Sequence, residues 1–331
     1  MRVFVAGGTG AIGRRLVPQL VAHGHQVTAS TRSAAKLDEL RALGADPVVM
    51  DGLDASSVGE MVARAEPDVV VHQMTALAGN PDLRRFDRWF ATTNRLRIEG
   101  TEHLLAAAEA AGVTRFVAQS YTGWSNTRTG GPIKTEDDPY DADPAEHQRE
   151  SIKGLQFLDR VVPSASMEGV VLRYGNFYGP GATEAVVELI RKRQMPIIGD
   201  GAGVWSFIHL DDAAAATVAA VEHGRRGIYN LTDDDPAPVA TWLPYLAEQV
   251  GAKKPMRVPV WLGRLAAGDV AVRWMTEGRG SSNAKAKRKL NWQPRWSSWR
   301  DGFRHGLTDP ATGGTAPSSA PGSVGRGEAA R

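Results

Sequence analysis

The chain contains no cysteine. That excludes disulfides, thiolate metal sites and a cysteine nucleophile, and it fits a cytoplasmic setting. No stretch approaches the ~18 uncharged apolar residues of a membrane span, so no membrane partner is expected. Charge of one sign is also scarce. The 39 Lys and Arg stand against 37 Asp and Glu, leaving +2 with histidines neutral, which argues against a nucleic-acid partner. An export signal is not expected either, because Met1-Arg2 runs straight into the apolar Val3-Phe4-Val5-Ala6 and then into glycines. Aromatic residues make up only 7%, yet nine of them are tryptophan.

What is present points to an enclosed α/β protein. Hydrophobic residues form 42% of 331, enough for one large unit or two intimate lobes. Apolar runs at 3–6, 26–31, 47–50, 68–73, 114–119 and 169–173 read as strands. Helical patterns lie between them at about 12–23, 34–43, 54–64, 93–111 and 145–163. Apolar strands alternating with helices predict an α/β fold with a doubly wound parallel sheet, the Rossmann arrangement. Further on, Asp211-Asp212 can cap an alanine-rich helix to about 221. One more strand is expected at 227–231, and helices near 238–250 and 281–289. The polar interval 123–144 is long enough to act as a lid. Residues 309–331 are mostly Gly, Pro, Ser, Ala and Thr and read as a disordered tail.

The strongest local signal is Gly7-Gly8-Thr9-Gly10-Ala11-Ile12-Gly13, which follows the first strand and opens the first helix. Glycines there permit the tight turn, let backbone approach a pyrophosphate, and let helix pack on strand. The helix N-terminus then offers N–H donors to phosphate. After the second strand the chain reads Thr31-Arg32-Ser33, with Lys36 one turn on and no carboxylate before Asp38. An arginine fork with flanking hydroxyls suits a 2′-phosphate, so NADP(H) is favoured over NAD(H). Asp51-Gly52-Leu53, after the third strand, is placed near the adenine.

These residues resemble the extended short-chain dehydrogenases/reductases, the NAD-dependent epimerase/dehydratase family. The resemblance runs from the glycine motif through Asn94 in Thr93–Thr101 and the Phe116–Ser120 strand. It continues through Leu172–Gly181, Ser206–Ala213 and Ser282–Pro294. It implies a Rossmann lobe of residues 1–174 plus about 204–231, with a smaller substrate lobe of 175–203 and 232–306. It implies Asn94, Tyr174 and Asn176 as further cofactor contacts. Met74, Thr75, Trp124 and Trp205 are the candidate substrate contacts. The resemblance also implies Ser120 as the hydroxyl that polarises a substrate, and a Tyr-x-x-x-Lys pair on the following helix. Lys153 matches the lysine, which holds ribose and lowers the tyrosine pKa.

Here the pattern breaks. Arg149 stands where the tyrosine belongs, and arginine cannot serve as an acid–base group. Tyr121, Tyr140, His147 or water is left to supply the proton, unless the reaction needs none. A second departure is Trp205, standing about where nucleotide-sugar members hold the diphosphate with arginine. Tryptophan stacks but cannot pair a diphosphate. His209 and Asp211 are too few for a metal site, so no metal is expected. The reading is an NADP(H)-dependent oxidoreductase acting on a small carbonyl, alcohol or activated alkene. The alternatives are a nucleotide-sugar epimerase/dehydratase and a non-catalytic NADP(H) sensor. The partner is a small-molecule substrate, and the assembly a monomer or a homodimer through the helices at 93–111 and 145–163.

Overall fold

The computed structural model of the protein describes residues 1–77 and 82–308, so the tail expected over 309–331 lies outside the described residues. Seven strands form the central sheet: β1 (Arg2–Ala6), β2 (Gln26–Thr31), β3 (Asp46–Val49), β4 (Val69–His72), β5 (Arg115–Tyr121), β6 (Glu168–Tyr174) and β7 (Gly227–Leu231). Their order is β7-β6-β5-β4-β1-β2-β3, and every neighbouring pair is parallel. The order reverses beside β1, which places a ligand crevice at the carboxyl ends of the strands.

Alternation along the strands supplies two cores. Val3, Val5, Val69 and Val71 face one side, with Leu16 and Leu20 of α1 (Gly13–Ala22) packed on them. Phe4, Ala6, Val70 and Phe116 face the other, under Val58 and Val62 of α2 (Ala55–Ala65) and Leu104 of α3 (Thr101–Ala110). Full burial of each such Val, Leu or Phe side chain stabilises the fold by about 1.5–3 kcal/mol. The helical stretch expected at 93–111 is not uniform. Residues Leu96–Gly100 form one wide π turn before α3 begins. The helix expected at 145–163 is α4 (Arg149–Val161). The helix expected to be capped by Asp211-Asp212 is α5 (Leu210–His223), whose N-cap is His209 instead. Its Ala213, Ala214, Ala216 and Ala220 reach zero exposure in the first core, since small side chains allow close approach.

A third core gathers Tyr178, Phe207, Trp242, Trp299 and Phe303. A fourth, of Phe86, Phe90, Trp124, Ile152, Leu155 and Val270, joins the segment after β4 to α4. The interval 123–144, read as a lid, is fastened instead. Residues 133–134 pair with 280–281, and Asn126 Nδ2 donates to Ser281 Oγ at 2.9 Å. Arg128 binds Asp141 at 2.7 Å and also engages Glu277.

Candidate active site

The carboxyl ends of β1, β2, β4, β5 and β6 open into one cavity of about 790 Å³. Among the described residues its charged lining consists of Arg32, Lys36 and Arg97, with no carboxylate. A cavity of this kind favours an anionic ligand.

At one end stands the glycine loop. Gly7 has φ +95°, and a Cβ there would lie 2.8 Å from the Gln73 carbonyl oxygen. A Cβ on Gly13 would stand 2.5 Å from the carbonyl oxygens of Gly7 and Gly8. Both positions therefore exclude larger residues, and Gly13 shapes the loop without lining the cavity. The Gly8 N–H donates to the Ser30 carbonyl at 2.9 Å, and Gly7 N–H to Ser30 Oγ at 3.2 Å, which fastens the loop to β2. Gly7, Thr9, Gly10, Ala11 and Ile12 line the cavity, and no side chain caps α1. The Arg14 and Arg15 N–H groups turn inward to the Gly10 and Ile12 carbonyls, so among the described residues those of Ala11, Ile12 and Gly13 are left for an anion, as a dinucleotide pyrophosphate requires. Thr31, Arg32, Ser33 and Lys36 line the adjoining rim. Gly52 lines it too, beneath the Met74 sulfur. Asp51 and Leu53 do not. The Asp51 carboxylate accepts the Leu53 N–H at 3.0 Å within its own turn, and Leu53 packs on the second core.

At the other end Ser120 lines the cavity with a buried Oγ that makes no hydrogen bond of ordinary geometry. Beside it the Tyr121 hydroxyl donates to Asn176 Oδ1 at 2.9 Å. Burial pushes the Tyr121 phenol well above its usual range, so it stays protonated. Its ring stacks on Trp124 at 5.0 Å. Phe86, Phe90, Trp205 and Trp274 continue the aromatic wall, with Trp205 and Trp274 5.0 Å apart. Met74, Thr75, Tyr174 and Asn176 also line it. Tyr174 is further tied down by Thr217 and Gln73. Trp261, by contrast, is an exposed surface residue.

The helix expected to carry the catalytic pair does not deliver one. Residues four apart share a helix face, and the face holding Arg149 and Lys153 is the solvent one. Lys153 is exposed and binds Glu150 at 2.7 Å, so the ribose role expected of it is corrected. The buried positions are Gln148, Ser151, Ile152 and Leu155, in which no phenol or amine occurs. Asn94 lies behind the cavity wall, where its Nδ2 donates to Ser151 Oγ at 3.1 Å.

Tyr140 is likewise outside the cavity lining. Its hydroxyl donates to Asp159 Oδ2, and the same oxygen accepts from Arg173 Nε at 2.9 Å. The Arg173 guanidinium lies over the Tyr140 ring at 4.9 Å. Burial and the Asp159 carboxylate push the Tyr140 phenol up, so it stays protonated.

His209 caps α5, its Nδ1 accepting the Asp211 N–H at 3.1 Å, and Asp212 accepts two backbone N–H groups at 2.9 Å. Among the described residues no cluster of three metal-ligating side chains occurs.

One charged residue went unread in the sequence. Arg97 lines the cavity, is 8% exposed, and donates from Nη1 to Asn94 Oδ1 at 3.2 Å. Its signal was the spacing Phe90, Asn94, Arg97, which puts all three on one face.

Residues 3–232 match the profile of the NAD dependent epimerase/dehydratase family. A "3-diazoavenalumate denitrifying reductase" from a Streptomyces species is 43% identical over 92% of this chain and 99% of its own. Among solved structures, a Thermus thermophilus UDP-glucose 4-epimerase complexed with NAD superposes with a TM-score of 0.70 at 25% identity. It covers 92% of this chain and 97% of its own. A human epimerase family protein with NADPH gives a TM-score of 0.70 at 22% identity, over 92% and 99%. The loop, the sheet order and these matches agree: the chain belongs to the NAD dependent epimerase/dehydratase family and is an NAD(P)-dependent oxidoreductase of the extended short-chain class.

Proposed function

We propose that the chain is an NADPH-dependent reductase whose substrate is a flat aromatic compound bearing a diazo group. The observation that carries this is an aromatic cavity holding Ser120 while, among the described residues, α4 turns no phenol–lysine pair toward it. The chain bearing it is 43% identical, along nearly its whole length, to a denitrifying reductase of a diazo compound. Bound NADPH supplies hydride, and an arene diazonium that takes hydride on carbon releases dinitrogen with the electrons of the broken C–N bond, so no proton is transferred. A carbonyl, by contrast, becomes an alkoxide and needs a proton donor. The missing tyrosine is then no defect.

The chain's own residues bind and orient. Thr9 to Ile12 cradle the diphosphate at the start of α1. Arg32 and Lys36, with the hydroxyls of Thr31 and Ser33, receive the 2′-phosphate, the basis for NADPH over NADH. Ser120 Oγ orients a polar group of the substrate, and the tryptophan wall stacks its ring and excludes water. In this division of labour, residues 1–174 with 204–231 hold the cofactor. Residues 175–203 and 232–306 complete the substrate side.

The test supplies diazotised 3-amino-4-hydroxycinnamate with NADPH stereospecifically deuterated at C4. The expected result is protein-dependent dinitrogen release, with deuterium at the carbon that carried nitrogen. Release no faster than in the protein-free mixture overturns the reading. A second reading, reduction of a carbonyl or activated alkene, is favoured by the protonated Tyr121 hydroxyl beside Ser120. Turnover of an enone or ketone panel, with loss in Tyr121→Phe, establishes it instead.

A further inference from the structure

Among the described residues, Arg97 is a buried cation without a counter-ion. It reaches the cavity from the wide π turn at Leu96–Gly100, and its stem runs along Gly154 of α4, whose missing side chain leaves room for it. A Cβ on Gly154 would already touch Arg97 Cδ at 3.5 Å. The guanidinium sits 5.3 Å from the Phe90 ring centroid, against the aromatic wall. Among the described residues it makes one hydrogen bond, from Nη1 to Asn94, and no ion pair. Its charged or titratable surroundings are Tyr140 and His72, neither of them a carboxylate. Burial lowers its pKa to about 10, so it remains charged at neutral pH.

A desolvated guanidinium is costly unless paired, and here the edge formed by Nε and Nη2 has no hydrogen-bond partner among the described residues. That edge matches the two oxygens of a carboxylate. The cofactor's phosphates are provided for at the other end of the cavity, by the glycine loop and Arg32. We infer that Arg97 anchors the carboxylate of an aromatic acid, fixing which end of the substrate lies beside Ser120. The inference rests on the reductase reading above for its aromatic substrate, and it adds a specificity determinant.

The test is a binding measurement that needs no turnover. Protein saturated with NADP+ is titrated with 4-hydroxycinnamate and with 4-hydroxycinnamamide, and quenching of the cavity tryptophans is followed. The acid is expected to bind at least about tenfold tighter than the amide. Arg97→Gln should abolish that preference while leaving amide and NADP+ affinity within about threefold. Arg97→Lys, which keeps the charge and loses the fork, should retain part of it. Equal binding of acid and amide by the natural protein overturns the inference. So does an Arg97→Gln loss shared by both probes, or one that falls on NADP+. If Arg97→Gln fails to fold, the acid–amide comparison and Arg97→Lys still decide. Neither probe carries a diazo group, so failure of the reductase reading leaves this outcome separately readable.

Discussion

The two ends of the cavity follow different rules. At the cofactor end the requirements fall on backbone: Gly7 in a left-handed conformation, Gly13 against two carbonyls, uncapped N–H groups at α1. A Cβ at Gly7 or Gly13 would run into backbone, so both positions require glycine. At the catalytic end the requirements fall on side chains, and there the family pattern is only half kept. Ser120 remains, while the helix that should present tyrosine and lysine buries Gln148 and Ile152. Backbone constraints fix the glycine loop, whereas the side-chain positions of the other end are open to replacement.

The sharpest way to break this contrast is to attack the catalytic end where it is structural. Asp159→Ala strands Arg173 in the interior and removes the Tyr140 acceptor. Unfolding by urea should show a loss of about 3–5 kcal/mol. A loss below about 1 kcal/mol would mean that the network is dispensable.

The next effect is a pH dependence. His72 is held neutral, near pKa 4, chiefly by burial, its Nε2–H donating to the Leu96 carbonyl at 3.2 Å and its Nδ1 accepting the Met74 N–H at 3.2 Å. The unfolded chain binds this proton near pH 6.5, the folded one only near 4. Stability is therefore expected to fall as pH drops through that window, by about 3 kcal/mol from this group. His72→Gln should lack that share of the slope. An unchanged slope would contradict it.

At the cofactor end, Arg32→Ala should weaken NADPH about tenfold, 1.4 kcal/mol, while leaving NADH nearly unchanged. Equal losses for both would remove the 2′-phosphate role. The smallest effect is expected at the residue which the family pattern would rank highest. Lys153→Ala should alter stability by less than about 0.5 kcal/mol, because its ion pair with Glu150 is exposed. It should change kcat and cofactor KM by less than about threefold. A collapse of kcat would restore the lysine to the site.

Much of this was legible in the sequence. Strands β2 and β7 occupy the expected residues, and the glycine loop lies where its motif predicts. What escaped depends on facing and on long-range contacts. Lys153 satisfies a spacing, but spacing cannot tell which face of α4 meets the core. The helix Val260–Thr276 was missed because Gly268, at φ +87°, breaks it, and Trp261 and Leu265 point to solvent, blurring the apolar period. Arg97 escaped because a buried guanidinium looks like any surface arginine until its neighbours are known. The 123–144 interval looked free for the same reason, since its anchors at Glu277 and Ser281 are remote in sequence.

Under the proposed diazo reduction, hydride moves to the substrate without a proton from the protein. The most direct test is the isotope effect on single-turnover reduction of the diazonium at pH 7.5. C4-deuterated NADPH should slow the step, and D2O should leave it unchanged within about 20%. A solvent effect of about twofold or more would show a proton in flight, and would contradict the account.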